Sequence, residues 1–161
     1  MIFSDKDLKR LLNEGEIKID PFPDYEQQLG SCSIDLRLGR EFRIFKSTDD
    51  NTPIDLFNAA QIHEATQEIL LADDQPFILE PQAFAIAVTH EHVELPDNVV
   101  ARLEGRSSLG RLGIIVHATA SVIDPGWRGR IALELANHGA RAIALYPKTR
   151  ICSLTFEALS S

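Results

Sequence analysis

The sequence predicts a mostly β fold, a sandwich or distorted barrel of short strands preceded by one short helix. Hydrophobic and polar residues alternate in short segments over most of the chain, and glycine, proline and asparagine separate these segments. Only the first residues show the apolar spacing of an amphipathic helix. The chain contains no internal repeat and no low-complexity tract. Many short strands with regular turns are typical of an all-β architecture.

The first predicted element is the helix. Ser4 is a residue type that caps helix N-termini, and Asp7 lies three residues later, near the positive end of the helix dipole. Leu8, Leu11 and Leu12 form its apolar stripe. The helix should end at a glycine shortly after the last leucine, at residue 15.

Strands are predicted wherever an alternating segment lies between turn residues. They are residues 33–38, 41–45, 77–79, 83–89, 99–103, 114–117, 129–137, 142–146 and 151–156. Residues 46–75 are polar and irregular, and we expect only a short helix there, near residues 59–64. No function can be assigned to this excursion from the sequence.

Length and composition predict one domain over residues 1–161, with 44% hydrophobic and 25% charged residues. A net charge of -8 argues against a nucleic-acid partner, because proteins that bind duplexes carry a basic face. No apolar run approaches the roughly 20 residues of a membrane span, so we expect no membrane partner. Cys32 and Cys152 are isolated and no secretory leader is recognisable, which favours the cytoplasm.

Residues 105–113 are the segment most suggestive of function, since they combine three glycines, two arginines and two serines. Glycine lets the backbone approach a ligand closely, and arginine pairs phosphate oxygens with a planar fork. Arg106, Ser107, Ser108 and Arg111 could therefore clamp a polyphosphate and fix a reacting water. A solvated charged turn explains the same nine residues equally well.

Two residues of the following segment, 123–127, could contribute to such a site. Asp124 could accept a hydrogen bond from a sugar hydroxyl, or it could be the acid of an Asx-type turn before proline. Trp127 could stack on a base or pack on a neighbouring subunit, although a core tryptophan is the more frequent outcome. The sequence leaves both alternatives open.

Glu134 is the acid that we consider first for catalysis. Alternation along the strand predicted at 129–137 places it between two alanines, on the face opposite Leu133 and Leu135. Small neighbours leave space above the sheet, and a carboxylate in a partly desolvated pocket suits proton transfer. A solvent-facing glutamate paired with Arg130 or another cation is the commoner situation for such a residue.

The five histidines lack the spacing of metal ligands, and we expect them to be satisfied structural residues. The sequence also lacks an H-x-E motif accompanied by P-C-x-x-C, the signature of zinc-dependent nucleobase deaminases. Any deamination by this chain would thus use a water that no zinc ion activates. We expect no metal ion held by the protein itself.

In their order along the chain, these motifs resemble those of the dCTP deaminases, the deaminase branch of the trimeric dUTPase superfamily. The resemblance spans nearly the whole chain and is specific because the motifs occur together. It rests on residues 33–39, 94–98, 105–113, 123–127 and the strand that carries Glu134. It implies a jelly-roll-like, distorted β-barrel and a homotrimer with active sites at subunit interfaces.

The resemblance implies hydrolytic deamination of dCTP to dUTP and ammonia. Glu134 would be the general acid/base that activates a water for attack on the cytosine ring. Ser107 and the carbonyl of Ala120 would hold that water. Arg111 would order this side of the site and hold positive charge near the phosphates.

The resemblance also implies how the nucleotide is bound. Arg106, Ser107 and Ser108 would contact the triphosphate, which arrives with its own Mg²⁺. Asp124 would bind the 3′-hydroxyl, and Trp127 would close off the 2′ side of the sugar. One subunit would supply the arginine and serine residues and its neighbour the segment that carries the glutamate. dTTP is a possible inhibitor.

Two departures from the family pattern leave alternatives open. Family members continue past the last strand with a tail that folds over the triphosphate, and we expect this chain to lack that lid and bind triphosphate weakly. Ser121 stands where relatives that also release dUMP tend to have glycine, whereas Trp127 is typical of deaminase-only relatives. A bifunctional dCTP deaminase and dUTPase, giving dUMP and pyrophosphate, is therefore one alternative. A catalytically idle nucleotide-binding trimer is another.

Overall fold

The computed structural model describes residues 1–47 and 52–160. Its helices are α1 (Asp5–Asn13), α2 (Tyr25–Gln28), α3 (Ala59–Glu64) and α4 (Ser107–Gly110). Its strands are β1 (Lys18–Asp20), β2 (Ser33–Phe45), β3 (Thr66–Leu70), β4 (Phe77–Leu79), β5 (Phe84–Glu94), β6 (Val99–Gly105), β7 (Ile114–Ile115), β8 (Val122–Ile123), β9 (Arg128–Asn137), β10 (Ile143–Leu145) and β11 (Arg150–Ala158). The predicted mostly β class is confirmed.

Nine of the strands form one antiparallel sheet that curls into a half-barrel. The path through it runs β7-β9-β5-β2-β11-β6-β8, with β1 paired to β5 and β3 paired to β2. β4 and β10 form a separate two-stranded sheet. β9, which carries the predicted catalytic glutamate, pairs with β5 on one side and β7 on the other.

The core lies inside the curled sheet, and the alternation predicted for β9 is confirmed. Ile131, Leu133 and Leu135 are 1%, 0% and 0% exposed, and the residues between them point to the opposite face. Burying a leucine or isoleucine side chain contributes roughly 1.5–3 kcal/mol, so this face fixes the register of β9. The orientation of Glu134 follows from that register.

α1 forms as predicted. Ser4 caps it: the Ser4 hydroxyl accepts from the Asp7 N–H and the Asp7 carboxylate accepts from the Ser4 N–H, a reciprocal capping box. Leu8, Leu11 and Leu12 are buried. The helix ends at Asn13, two residues before a glycine with φ of +74°.

The structure differs from the prediction in several short elements. Residues 33–38 and 41–45 belong to one strand, β2, with a register shift against β5 between them. β1, β3, β8 and α2 lie where none was predicted, whereas the helix expected near residues 59–64 is confirmed as α3. Two- to five-residue elements such as these depend on their partners in the fold more than on their own sequence pattern. Four residues of the polar excursion, 48–51, lie outside the described residues.

The end of β9 is locked against the segment after α4 by two glycines. A Cβ at Gly113 would lie 2.4 Å from the backbone nitrogen of Gly139, so only hydrogen fits between the two chains. The N–H of His138 donates to the carbonyl of Gly113 at 2.8 Å. This contact fixes where α4 sits relative to β9.

Among the described residues, no helix is long and apolar enough to cross a bilayer.

Candidate active site

Glu134 lies in the middle of β9, half-buried, with its carboxylate held by two backbone amides. The Oε2 atom accepts hydrogen bonds from the N–H of Ala118 at 2.6 Å and of Thr119 at 3.3 Å. Its own N–H donates to the carbonyl of Val116 at 2.9 Å. Hydrogen bonds from amides to a carboxylate are charge-assisted and strong, so they fix the orientation of the side chain.

Glu134 forms no ion pair with a cation among residues 1–47 and 52–160. Arg130 pairs with Glu41, Nη1 to Oε1, at 2.7 Å. The residue opposite Glu134 on β5 is Ile86, which carries no charge. Among the described residues, the pairing of Glu134 with a cation that the sequence left open is therefore not found.

Ala120 follows the two amide donors directly and is exposed. The structure thus brings the segment that contains Ala120 to Glu134 within one protomer. The role of the Ala120 carbonyl toward a water stays a prediction. We refer to Glu134 together with residues 117–120 as the Glu134 cluster.

His117 departs from the expectation of a satisfied structural histidine. Its Nδ1 atom is buried and has no hydrogen-bond partner among the described residues. An unsatisfied buried polar atom costs about 1–3 kcal/mol. His117 is the first residue of the segment in the Glu134 cluster, and β7 ends before it, at residue 115 and not at the predicted residue 117.

Residues 106–111 form the short helix α4 with its flanking residues, and we refer to them as the α4 segment. Ser107 and Ser108 form its first turn, and Arg111 follows its end, where the Arg111 N–H donates to the Ser107 carbonyl at 3.1 Å. All three residues are exposed. In the described part of the chain, no hydrogen bond or ion pair joins their side chains to Glu134.

Arg106 is anchored within its own protomer. Its Nε lies 3.1 Å from Oδ2 of Asp35, and its Nη1 donates to the carbonyl of Arg150 at 3.2 Å. Its side chain is 25% exposed, so it is less accessible than the other predicted triphosphate contacts. Sequence reasoning missed Asp35, although an acid within an alternating strand was a signal that a nearby cation could pair with it.

Asp124 and Trp127 lie together on an exposed turn. Gly126 has a φ of +77°, and the Trp127 N–H donates to the Asp124 carbonyl at 3.2 Å. Trp127 is 37% exposed and its indole N–H donates to the carbonyl of Gly129, so it is not a core tryptophan. No backbone amide among the described residues bonds to the Asp124 carboxylate, which does not fit an Asx-type turn. Both side chains are accessible to a ligand or a neighbouring subunit.

The main-chain donors to Glu134 carried no sequence signal, because any residue has a backbone N–H. Nothing in the identities of Ala118 and Thr119 predicts that their amides meet a carboxylate.

The described residues hold no group of three or more histidine, cysteine, aspartate or glutamate side chains that could bind a metal ion.

Three comparisons relate the chain to known proteins. A family model described as dCTP deaminase-like matches residues 2–159. The chain is 51% identical to a dCTP deaminase of Thermomicrobium roseum over 161 residues, which are 100% of this chain and 81% of that protein. It is 47% identical over 165 residues to a protein of Methanothermobacter thermautotrophicus named dCTP deaminase, dUMP-forming, covering 99% of this chain and 80% of that protein.

The fold is similar to a crystal structure of 2′-deoxycytidine 5′-triphosphate deaminase from Agrobacterium tumefaciens, with a TM-score of 0.73 and 23% identity. The match covers 98% of this chain and 47% of that one, so the chain spans about half the length of that solved structure. At this identity the likeness shows the fold alone.

Proposed function

We propose that this chain, which belongs to the dCTP deaminase-like family, hydrolyses dCTP to dUTP and ammonia with Glu134 as general acid/base. The observation that carries the proposal is the half-buried carboxylate of Glu134. It is oriented by the amides of Ala118 and Thr119, and it forms no ion pair within the part of the chain that the structure describes. Such a carboxylate is free to exchange protons with a ligand on its other oxygen.

In the proposed reaction, one water molecule is consumed and the exocyclic C–N bond of cytosine is broken. Glu134 takes a proton from the water through Oε1, since Oε2 is occupied by the two amides. The hydroxide adds to the ring carbon that carries the amino group, and the adjacent ring nitrogen takes up the proton from Glu134. The hydroxyl proton of this adduct then passes through Glu134 to the amino nitrogen, the C–N bond breaks and ammonia leaves, and the oxygen of the water stays on the ring as the carbonyl. Ser107 and the Ala120 carbonyl hold the water before it reacts.

We propose that each active site combines two copies of the chain in a homotrimer. The side chains of Ser107, Ser108 and Arg111 are exposed and Glu134 is half-buried, and no side-chain bond joins the three residues to Glu134 in the described part of one protomer. The lack of such a bond within one chain supports a site in which Ser107, Ser108 and Arg111 of one copy meet Glu134 of a neighbour. Arg111 and the serine hydroxyls then face the substrate triphosphate, which brings Mg²⁺ with it.

Sugar recognition is assigned to the turn at residues 124–127. Asp124 accepts from the 3′-hydroxyl, because its carboxylate makes no bond to a backbone amide among the described residues. Trp127 covers the 2′ side of the sugar with its exposed indole, which leaves no room for a ribose hydroxyl.

A second candidate function is favoured by the names of several relatives. Relatives 47% and 48% identical to this chain, from Methanothermobacter thermautotrophicus and Methanosphaera stadtmanae, are named dCTP deaminase, dUMP-forming. A bifunctional enzyme would also release pyrophosphate and leave dUMP. By the family pattern, Ser121 and Trp127 do not agree on whether the chain only deaminates dCTP or also releases dUMP. Measurement of the products distinguishes the two reactions.

The deciding experiment incubates the full-length protein with dCTP and Mg²⁺ and measures ammonia and pyrophosphate separately. Ammonia without pyrophosphate supports deamination alone, and equal amounts of both support the bifunctional reaction. A protein that binds nucleotide but releases neither product would overturn the proposed activity. A zinc chelator, with Mg²⁺ replenished, should leave ammonia release unchanged, because the sequence lacks the zinc-deaminase signature.

A further inference from the structure

We propose that Asp35 is a positioning residue for the triphosphate site, acting through Arg106. The proposal rests on the proposed function, because it concerns how the chain binds its nucleotide. Asp35 lies on β2, two strands away from β6, which leads into the α4 segment. Its carboxylate pairs with Arg106, the first residue of the α4 segment, and so connects this segment to β2.

Arg106 is held by contacts to two strands, β2 and β11. Its Nε lies 3.1 Å from Oδ2 of Asp35, and its Nη1 donates to the carbonyl of Arg150 at 3.2 Å. Two nitrogens of the guanidinium, Nε and Nη1, are thus held by β2 and β11. A planar guanidinium held at two nitrogens presents its remaining N–H groups in a set direction. Arg106 directly precedes Ser107 and Ser108, so its orientation and theirs are coupled.

Asp35 itself stands on a rigid support. Its backbone carbonyl accepts from Nε2 of Gln28 at 2.9 Å, and the same amide nitrogen lies 3.1 Å from Oε1 of Glu91. Glu91 is 0% exposed and also accepts from the backbone N–H and Nε of Arg37, at 2.7 and 2.6 Å. These buried bonds hold the main chain of β2 where Asp35 projects toward Arg106.

Positive charges outnumber negative charges in the group formed by Asp35, Arg106 and Arg150. Its carboxylate also lies 3.3 Å from Nη1 of Arg150, so one negative charge is shared by two guanidinium groups. Within the described ranges Asp35 is the one acid that pairs with either arginine, so this group of three side chains carries one net positive charge. Side-chain exposures of 19% for Asp35 and 25% for Arg106 place the pair partly out of water, where charge interactions are stronger than on the open surface. A triphosphate is the kind of ligand that such a cationic group attracts.

Positioning and simple electrostatics predict opposite signs for removal of the Asp35 charge. If Asp35 acted only as a negative charge near the phosphates, Asp35→Asn would tighten triphosphate binding, because a repulsion would be lost. If Asp35 positions Arg106, the same substitution weakens binding, because the guanidinium loses a charge-assisted bond that orients it. The sign of the change therefore separates the two roles.

The test measures dCTP binding by calorimetry with Mg²⁺ in a Glu134→Gln background, where deamination is removed. Asp35→Asn should weaken dCTP binding about tenfold, as for loss of one bond to a charged group. Arg106→Gln should weaken it at least as much. With Arg106→Gln present, adding Asp35→Asn should change the affinity little, because Asp35 acts through the residue already removed.

The matched control is Asp73→Asn. Asp73 also lies between two cations, 3.6 Å from Arg40 and 3.1 Å from Lys148, but it is exposed and away from the α4 segment. It should leave dCTP affinity unchanged. If Asp35→Asn does not fold, Asp35→Glu is measured in its place, because it keeps the charge but moves it by one methylene. We expect Asp35→Glu to bind dCTP more weakly than the protein with Asp35 intact, but more tightly than Arg106→Gln.

Each outcome decides the proposal. Unchanged or tighter dCTP binding in Asp35→Asn, or in Asp35→Glu where the former does not fold, overturns it. The proposal is also overturned if Asp35→Asn weakens dCTP binding equally in the Arg106 protein and in the Arg106→Gln variant, because that result shows a general structural effect. If the Glu134→Gln protein with Asp35 intact binds no dCTP, the proposed function itself fails. If it binds dCTP and only the positioning effect is missing, the proposed function stands without this inference.

Discussion

The Oε2 atom of Glu134 accepts a hydrogen bond from the backbone N–H of Ala118 at 2.6 Å. The main chain of a turn, and not another side chain, thereby sets the direction of the carboxylate. Backbone donors cannot rotate away as a lysine or arginine can, so the second oxygen is held ready for a proton transfer at little entropic cost. The turn and β9 are accordingly one functional unit.

The contact between Gly113 and Gly139 should be intolerant of side chains. Gly113 has a φ of +90°, and a Cβ there would lie 2.4 Å from the Gly139 nitrogen. Gly113→Ala should therefore destabilise the fold by about 2 kcal/mol or more, from backbone strain and from the forced separation of the two chains. Thermal unfolding at fixed protein concentration measures the effect.

Gly15→Ala is the matched control for that substitution. Gly15 also has a positive φ, +74°, but nothing lies within 4 Å of an added Cβ. Only the backbone term applies, about 1–2 kcal/mol. Equal destabilisation by the two substitutions would contradict the close approach of the chains.

The buried carboxylate of Glu91 should be important for stability. It is 0% exposed and accepts from two groups of Arg37 and one of Gln28. Removing one partner of a buried pair costs about 3–5 kcal/mol, and we expect about 2–3 kcal/mol for Glu91→Gln because the Arg37 side chain is 26% exposed. Denaturant unfolding measures the change in free energy of unfolding.

Glu68→Gln serves as the control for a surface pair. Glu68 binds Arg43 but its side chain is 74% exposed, so its loss should cost no more than about 1 kcal/mol. If Glu91→Gln were as mild as Glu68→Gln, the buried network would not stabilise β2 as described.

The capping box of α1 should make part of the stability depend on pH in the acid range. Hydrogen bonds from the backbone N–H and the hydroxyl of Ser4 lower the pKa of Asp7 below its ordinary value of 3.8. A lowered folded-state pKa means that the ionised form stabilises the fold above pH 3.8, and that this contribution is lost as the pH falls through the folded-state pKa. Asp7→Asn should unfold at a lower temperature than the wild type at neutral pH.

The difference between the two proteins should shrink when melts are repeated below pH 3.8, the ordinary value for Asp7. A difference that stays constant with pH would show that the carboxylate charge is not part of the cap.

The sequence predicts those features that arise from local pattern. The cap at Ser4, the leucine stripe of α1 and the alternation of Ile131, Leu133 and Leu135 depend on nearest neighbours and helical or strand period, and the structure confirms each. The place of Glu134 on the face opposite the core follows from the same alternation. The mostly β class needs no more than these patterns and the turns.

The sequence does not predict features that depend on distant backbone. The amide of Ala118 has no side-chain signature, and β3 pairs with a part of β2 that lies more than about 20 residues earlier in the chain. No helix is predicted for the glycine-rich residues 105–113, yet hydrogen bonds to the carbonyl of Arg106 close the turn of α4. Arg106 itself is held by Asp35, which lies 71 positions earlier in the chain.

The most direct test of the central claim is ammonia release from dCTP with Mg²⁺ by the wild-type protein and by Glu134→Gln. The glutamine carbonyl can still accept from the amide of Ala118, so the fold and nucleotide binding should persist while the proton carrier is lost. We predict ammonia release by the wild type and a loss of at least about a hundredfold in the variant, with an unchanged melting temperature. Ammonia release by the folded variant at the wild-type rate would contradict the assignment of Glu134 as general acid/base.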